Sequence, residues 1–124
     1  MRTTLIVVAY VLCAVAADTP PKPVQPPSYD KEIDPMMRKY CGTCHGKRMP
    51  RAFVSVVTYE GMMKSKKGKA LVIPGQPDKS ILLQTMEGHK PVMPPKGATL
   101  QPTKDEVSKV RAWILAGAKD DTPD

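Results

Sequence analysis

Cys41, Cys44 and His45 fall within five residues, in the run RKYCGTCHGKR that spans positions 38 to 48. Two thiols and an imidazole at that spacing admit three chemistries: a metal site, a dithiol couple, or covalent attachment of a haem. In the third, each thiol adds across a vinyl group of the porphyrin to give a thioether. Two cysteines separated by two residues reach both vinyls, and the adjoining histidine is placed to ligate the iron. That is why C-x-x-C-H is the attachment signature of c-type haem.

The rest of the composition weighs among the three. A structural zinc site needs four N, S or O ligands, usually with a second Cys/His pair. The chain has three cysteines and two histidines, and a Cys41, Cys44, His45, His89 set would use the adjacent Cys44 and His45, which strains a tetrahedron. A thioredoxin-like dithiol wants a strand-to-helix setting, whereas the flanks here are helical and proline-rich. Haem c, one per chain, is the reading the motif favours.

If His45 is one axial ligand, the iron takes a second donor or stays open. Met36, Met37 and Met86 fall at apolar helix positions and read as core, while Met49, Met62 and Met63 read as loop residues. Met93 differs. It sits in Pro91-Val92-Met93-Pro94-Pro95, where the prolines restrict the backbone and hold a thioether in place at low entropic cost. Met93 is therefore the expected axial partner of His45. His89 is the alternative distal ligand and would give a lower potential, since methionine raises it.

Elements must deliver these side chains. Asp34-Pro35 signals a helix start, with Asp34 as cap and Pro35 in the first turn. Met36, Met37, Tyr40, Cys41 and Cys44 then recur at helical spacing, so one helix carries both thiols. Residues 53–59 have strand-like composition, readable as an extended loop over the cofactor. Lys64, Lys66, Lys67 and Lys69 read as a solvated loop or as a docking patch for an acidic partner. After the turn at Pro74-Gly75-Gln76-Pro77, Asp78 is expected to cap a short helix through Ile81, Leu82, Leu83 and Met86 that ends at Gly88. The last helix carries a capping box at Thr103 and Glu106, an apolar face of Val107, Val110, Trp113 and Ile114, and a stop at Gly117.

The 124 residues allow one small domain. Residues 1–17 read as a signal peptide: Arg2 precedes an uncharged apolar run that ends in Val15-Ala16-Ala17. The run is shorter than the about 20 residues of a membrane span, and its retention as an N-terminal anchor is the alternative that would bring membrane association. Cleavage removes Cys13 and leaves only the motif cysteines, so export implies no structural disulfide. Residues 18–28 read as a proline-rich linker, 29–119 as the folded domain and 120–124 as a tail, in a periplasmic or otherwise exported protein. Loss of Arg2 takes the balance from 19 basic against 12 acidic residues to 18 against 12, a net +6. That charge points to acidic protein partners, and the absence of interleaved aromatics on a basic strand argues against nucleic acid.

The order of these pieces resembles a short class I c-type cytochrome, the planctomycete-type cytochrome c. The resemblance covers residues 29–119 and rests on Ile33-Asp34-Pro35, CGTCHG, VIPGQPDKSILLQ, MPPKGATL and VRAWILAGA. It implies an all-α fold of about three to four helices wrapped around one haem, with Cys41 and Cys44 covalent, His45 axial and Met93 opposite. It also implies that the N- and C-terminal helices cross beside the haem, with Trp113 packed there, and it gives the Lys64–Lys69 stretch no role. The function implied is a soluble single-electron carrier rather than an enzyme. The alternative is a haem-binding subunit or ligand-sensing domain of a larger periplasmic oxidoreductase.

Overall fold

The computed structural model describes residues 24–46, 54–66 and 69–124. The expected signal peptide, the first part of the linker, Cys13, Met49, Phe53 and Lys67 lie outside the described residues. Among those described, the regular secondary structure is helical apart from an antiparallel pair of two-residue strands, Ser65–Lys66 and Lys69–Ala70. Four α-helices carry the fold: α1 (Asp34–His45), α2 (Tyr59–Met63), α3 (Ile81–Met86) and α4 (Lys104–Leu115). None of the described helices is long and apolar enough to cross a membrane.

The first helix begins one turn earlier than Asp34-Pro35 suggests. A π-helical turn, Tyr29–Ile33, runs directly into α1. Its cap is Ser28, whose hydroxyl accepts from the Lys31 amide at 3.1 Å while the Glu32 carboxylate accepts from the Ser28 amide at 3.1 Å. Free amides at a helix start need such acceptors, and Ser28 with Glu32 supplies them reciprocally. Asp34, already inside the helix, is thereby released to pair with Arg38 one turn on, at 2.7 Å.

A similar displacement occurs before α3. Asp78 lies in a 3₁₀ turn, Pro77–Lys79, and makes no side-chain cap. Its carboxylate is taken by Arg111 on α4 at 2.8 Å, and the same guanidinium reaches Glu87 at 2.9 Å. Ser80 stands at the cap position, but its fully buried hydroxyl accepts from the Ile73 amide and donates to the Gln76 carbonyl, both at 2.9 Å. The hydroxyl thus closes the 73–80 turn instead of capping the helix.

The last helix follows its sequence signals. Thr103 Oγ1 accepts from the Glu106 amide at 3.1 Å and Glu106 Oε2 accepts from the Thr103 amide at 2.8 Å, the reciprocal capping box. Val110, Trp113 and Ile114 are buried, and Gly117 takes a φ of 105° where the helix stops.

One apolar core joins these pieces. Tyr29, Ile33, Met36 and Met37 meet Met62, Val72, Leu83, Val110, Trp113 and Ile114 in it. Met62, expected in a loop, lies in α2 and is fully buried. Trp113 stacks on Tyr29 at 5.7 Å between ring centroids, and Tyr59 meets both rings edge-on, at 5.3 Å from Tyr29 and 6.5 Å from Trp113. The two polar tips find carbonyls past α4: Trp113 Nε1 donates to Lys119 O at 2.9 Å and Tyr59 Oη to Ala118 O at 3.0 Å. Large rings with satisfied polar tips suit a small core. Beyond them Asp121 accepts from the Asp30 amide at 2.9 Å, so the start of the expected tail is fastened to the N-terminal turn.

Candidate functional site

The last two turns of α1 present Cys41, Cys44 and His45, and the helix stops at Gly46 in extended conformation. Gly46 is required sterically: a Cβ there would lie 2.8 Å from the Gly42 carbonyl oxygen. Beyond the motif, residues 54–58 run without regular structure back along α1. There the Val56 amide donates to His45 O at 3.2 Å and the His45 ring contacts Val54 O through Nδ1 at 3.0 Å. A carbonyl oxygen only accepts, so Nδ1 carries the proton, and in the neutral ring the lone pair is then on Nε2. That is the tautomer a metal-ligating histidine needs.

Met93 reaches the same place from the other end of the chain. Its loop leaves α3 through Gly88, at a φ of 101°, and is fixed there by the His89 amide on Gln84 O and the Met93 amide on Thr85 O, at 2.9 and 3.0 Å. Thr85 is buried, and its hydroxyl donates to Leu82 O at 2.8 Å, so the anchor carbonyl sits on an ordered helix end. His89, four residues before Met93, is exposed and points into no cavity shared with the motif.

Two cavities meet at these residues. The larger, ≈ 390 Å³, is bordered by Tyr40, Cys41, Cys44, His45 and Met93 together with Leu100. The smaller, ≈ 190 Å³, lies between Cys41, His45 and Met93 and the apolar side chains of Val54, Leu71 and Leu82. Cys41, His45 and Met93 line both, and the pair together falls within the roughly 300–1,000 Å³ of small-molecule and cofactor sites. Tyr40 at the rim donates its hydroxyl to Glu106 at 2.8 Å, which joins α1 to the capped start of α4. The Thr103 amide, then the Tyr40 hydroxyl, hold the Glu106 carboxyl below its ordinary value. Trp113, expected beside the cofactor, lines neither cavity and packs instead with Tyr29 and Tyr59.

The donor set fits a haem. It offers two unpaired thiols, one imidazole in the ligating tautomer and one thioether around a largely apolar space. It fits the rival chemistries less well. Burial, and after it the neighbouring Cys44, pushes the Cys41 thiol up to about 11, away from the range of reactive thiols. Reactive dithiols work through thiolates of depressed pKa. Among the described residues, no three His, Cys, Asp or Glu side chains gather at one point as a metal site.

Sequence reasoning did not find the Val54 and Thr85 carbonyls, which orient the two candidate ligands. Backbone acceptors leave no signature in residue type. Leu100, half exposed at the rim of the larger cavity, carried a faint signal as a lone apolar residue after the proline loop.

Residues 41–97 match the family model described as planctomycete cytochrome C. No curated protein and no solved structure matches the chain.

Proposed function

We propose, on the premise that this chain carries a planctomycete-type cytochrome c domain in residues 41–97, that it is an exported monohaem cytochrome passing single electrons between partner proteins. Haem c, when bound, supplies a one-electron iron couple. Cys41 and Cys44 would tether it through thioethers, and His45 and Met93 would ligate its iron. The observation that carries the reading is that Cys41, His45 and Met93 line both cavities at the motif.

The chain's own groups then have definite tasks. The Val54 carbonyl keeps the proton on His45 Nδ1 and leaves Nε2 free for the metal. The Thr85 carbonyl and Pro91, Pro94 and Pro95 hold the Met93 segment, so little order remains to be gained when a ligand bond forms. Val54, Leu71, Leu82 and Met86 keep water from the inner side. Ligation by methionine rather than by His89 favours the reduced iron and a higher potential. Export is supported by the signal-like residues 1–17, and acidic partners by the net +6 that remains after them.

Separate Met93→Ala and His89→Ala variants test the ligand assignment. The methionine-to-iron absorption band is expected to vanish in Met93→Ala alone. Its persistence there, or its loss in His89→Ala, refutes the assignment.

A further inference from the structure

Residues 54–58 belong to no helix or sheet, yet they decide how the His45 imidazole is held. Each of their ties therefore counts. Val54 O takes the His45 ring proton and the Val56 amide binds His45 O, while Thr58 caps α2 by accepting from the Gly61 amide at 3.1 Å. The tie between these ends comes from a side chain. Arg38 donates from Nη2 to Val57 O at 3.1 Å and from Nε to Asp34 Oδ2 at 2.7 Å. Val57 is buried and lies over the motif, where a Cβ on Gly42 would meet Val57 Cγ1 at 3.5 Å. A guanidinium suits the task because its planar fork serves a carboxylate and a carbonyl together, whereas an ammonium is a single point of charge.

We propose that Arg38, itself oriented by Asp34, is a positioning residue for the axial imidazole, fixing residues 54–57 against α1 and so setting the strength of the His45 Nδ1–H···O=C bond to Val54. The inference rests on the reading of His45 as a haem ligand. A histidine that gives its Nδ1–H to a carbonyl is the more basic ligand at Nε2 and favours the oxidised iron. Slackening that bond favours the reduced iron. Removing the Arg38 charge acts in the opposite sense, because loss of a nearby cation disfavours the added electron. A substitution that keeps the charge but loses the fork separates the two effects.

The test uses haem-loaded wild type, Arg38→Lys and Arg38→Ala. It measures the midpoint potential by redox titration and hydrogen exchange of the His45 Nδ1–H by NMR in the reduced state. Arg38→Lys is expected to raise the reduced-to-oxidised ratio at a fixed applied potential about threefold, which is about 28 mV for a one-electron couple. Exchange of the ring proton should quicken in both variants, and Arg38→Ala should lie below Arg38→Lys in potential. A role in stability or charge alone leaves Arg38→Lys at the wild-type potential with wild-type exchange. Either readout unchanged in Arg38→Lys overturns the inference while the haem assignment stands. A wild type with no histidine nitrogen on its iron overturns both.

Discussion

Replacing Gly46 by alanine should unsettle the site without touching any ligand. The Gly46 backbone is extended, with φ −76° and ψ −175°, so alanine meets no conformational penalty there. The obstacle is contact: its Cβ would stand 2.8 Å from the carbonyl oxygen of Gly42, within the last turn of α1. That oxygen is backbone and cannot swing aside as a side chain would. Relief requires moving the helix end or the chain that leaves it, and His45 lies between the two. Overpacking of this kind costs about 1–3 kcal/mol. In a domain of this size each kcal/mol lowers the melting temperature by about 4–8 °C. Gly97 is the control, because among the described residues, its chain neighbours aside, no atom lies within 4 Å of its would-be Cβ, and its φ is not in the left-handed region. Alanine there should stabilise by about 0.4–1 kcal/mol through the unfolded chain. The assay is thermal unfolding of the two haem-loaded variants beside wild type. A Gly46→Ala protein that melts at or above the wild-type temperature would refute the steric argument.

Three further outcomes are expected. Thr103→Ala removes the acceptor for the Glu106 amide and should cost about 0.5–2 kcal/mol in denaturant titration. Trp113→Ala empties a fully buried site against Tyr29 and Tyr59 and should cost about 3–5 kcal/mol, while the haem spectrum of the remaining folded protein stays unshifted because Trp113 lines neither cavity. Glu32 is held below its ordinary 4.5 first by Lys109 and then by the Ser28 amide, and Glu106 first by the Thr103 amide and then by Tyr40. Because their folded values lie below their unfolded ones, the stability they give is present above about pH 4.5 and is lost as pH falls through the folded values. Melting curves between about pH 6 and about pH 3 should therefore fall less steeply in Glu106→Gln than in wild type.

What the residues revealed, and what they hid, follows the range of the interactions. The capping box at Thr103 and Glu106 is legible because both partners lie within one helical turn, and Met93 stands out because prolines mark its stiffness directly. Asp34 and Asp78 both have the character of N-caps and serve as none, for a common reason. Each is a good cap in isolation, but Ser28 with Glu32 starts the first helix a turn earlier, and Arg111, 33 residues along the chain, draws Asp78 away. Such competition depends on the tertiary fold and leaves no local trace. The extended 54–58 segment is harder still. Its β-branched composition suits a strand or an extended loop, and its hydrogen bonds, which go to His45 and Arg38, make it the loop, with burial against α1 in place of pairing with a neighbouring strand. Trp113 was legible as core, but which neighbours surround it depends on Tyr29 and Tyr59, which no pattern links to it.

The central claim is that Cys41 and Cys44 hold a redox-active haem. Its most direct test is a reduced-minus-oxidised spectrum of the purified protein, recorded natively and again after denaturation and acid–organic extraction of free haem. A haem spectrum that stays with the polypeptide through extraction, with a reversible one-electron change in the native state, is the predicted result. A spectrum that washes out with the solvent, or a native protein that shows no reversible couple, contradicts the account.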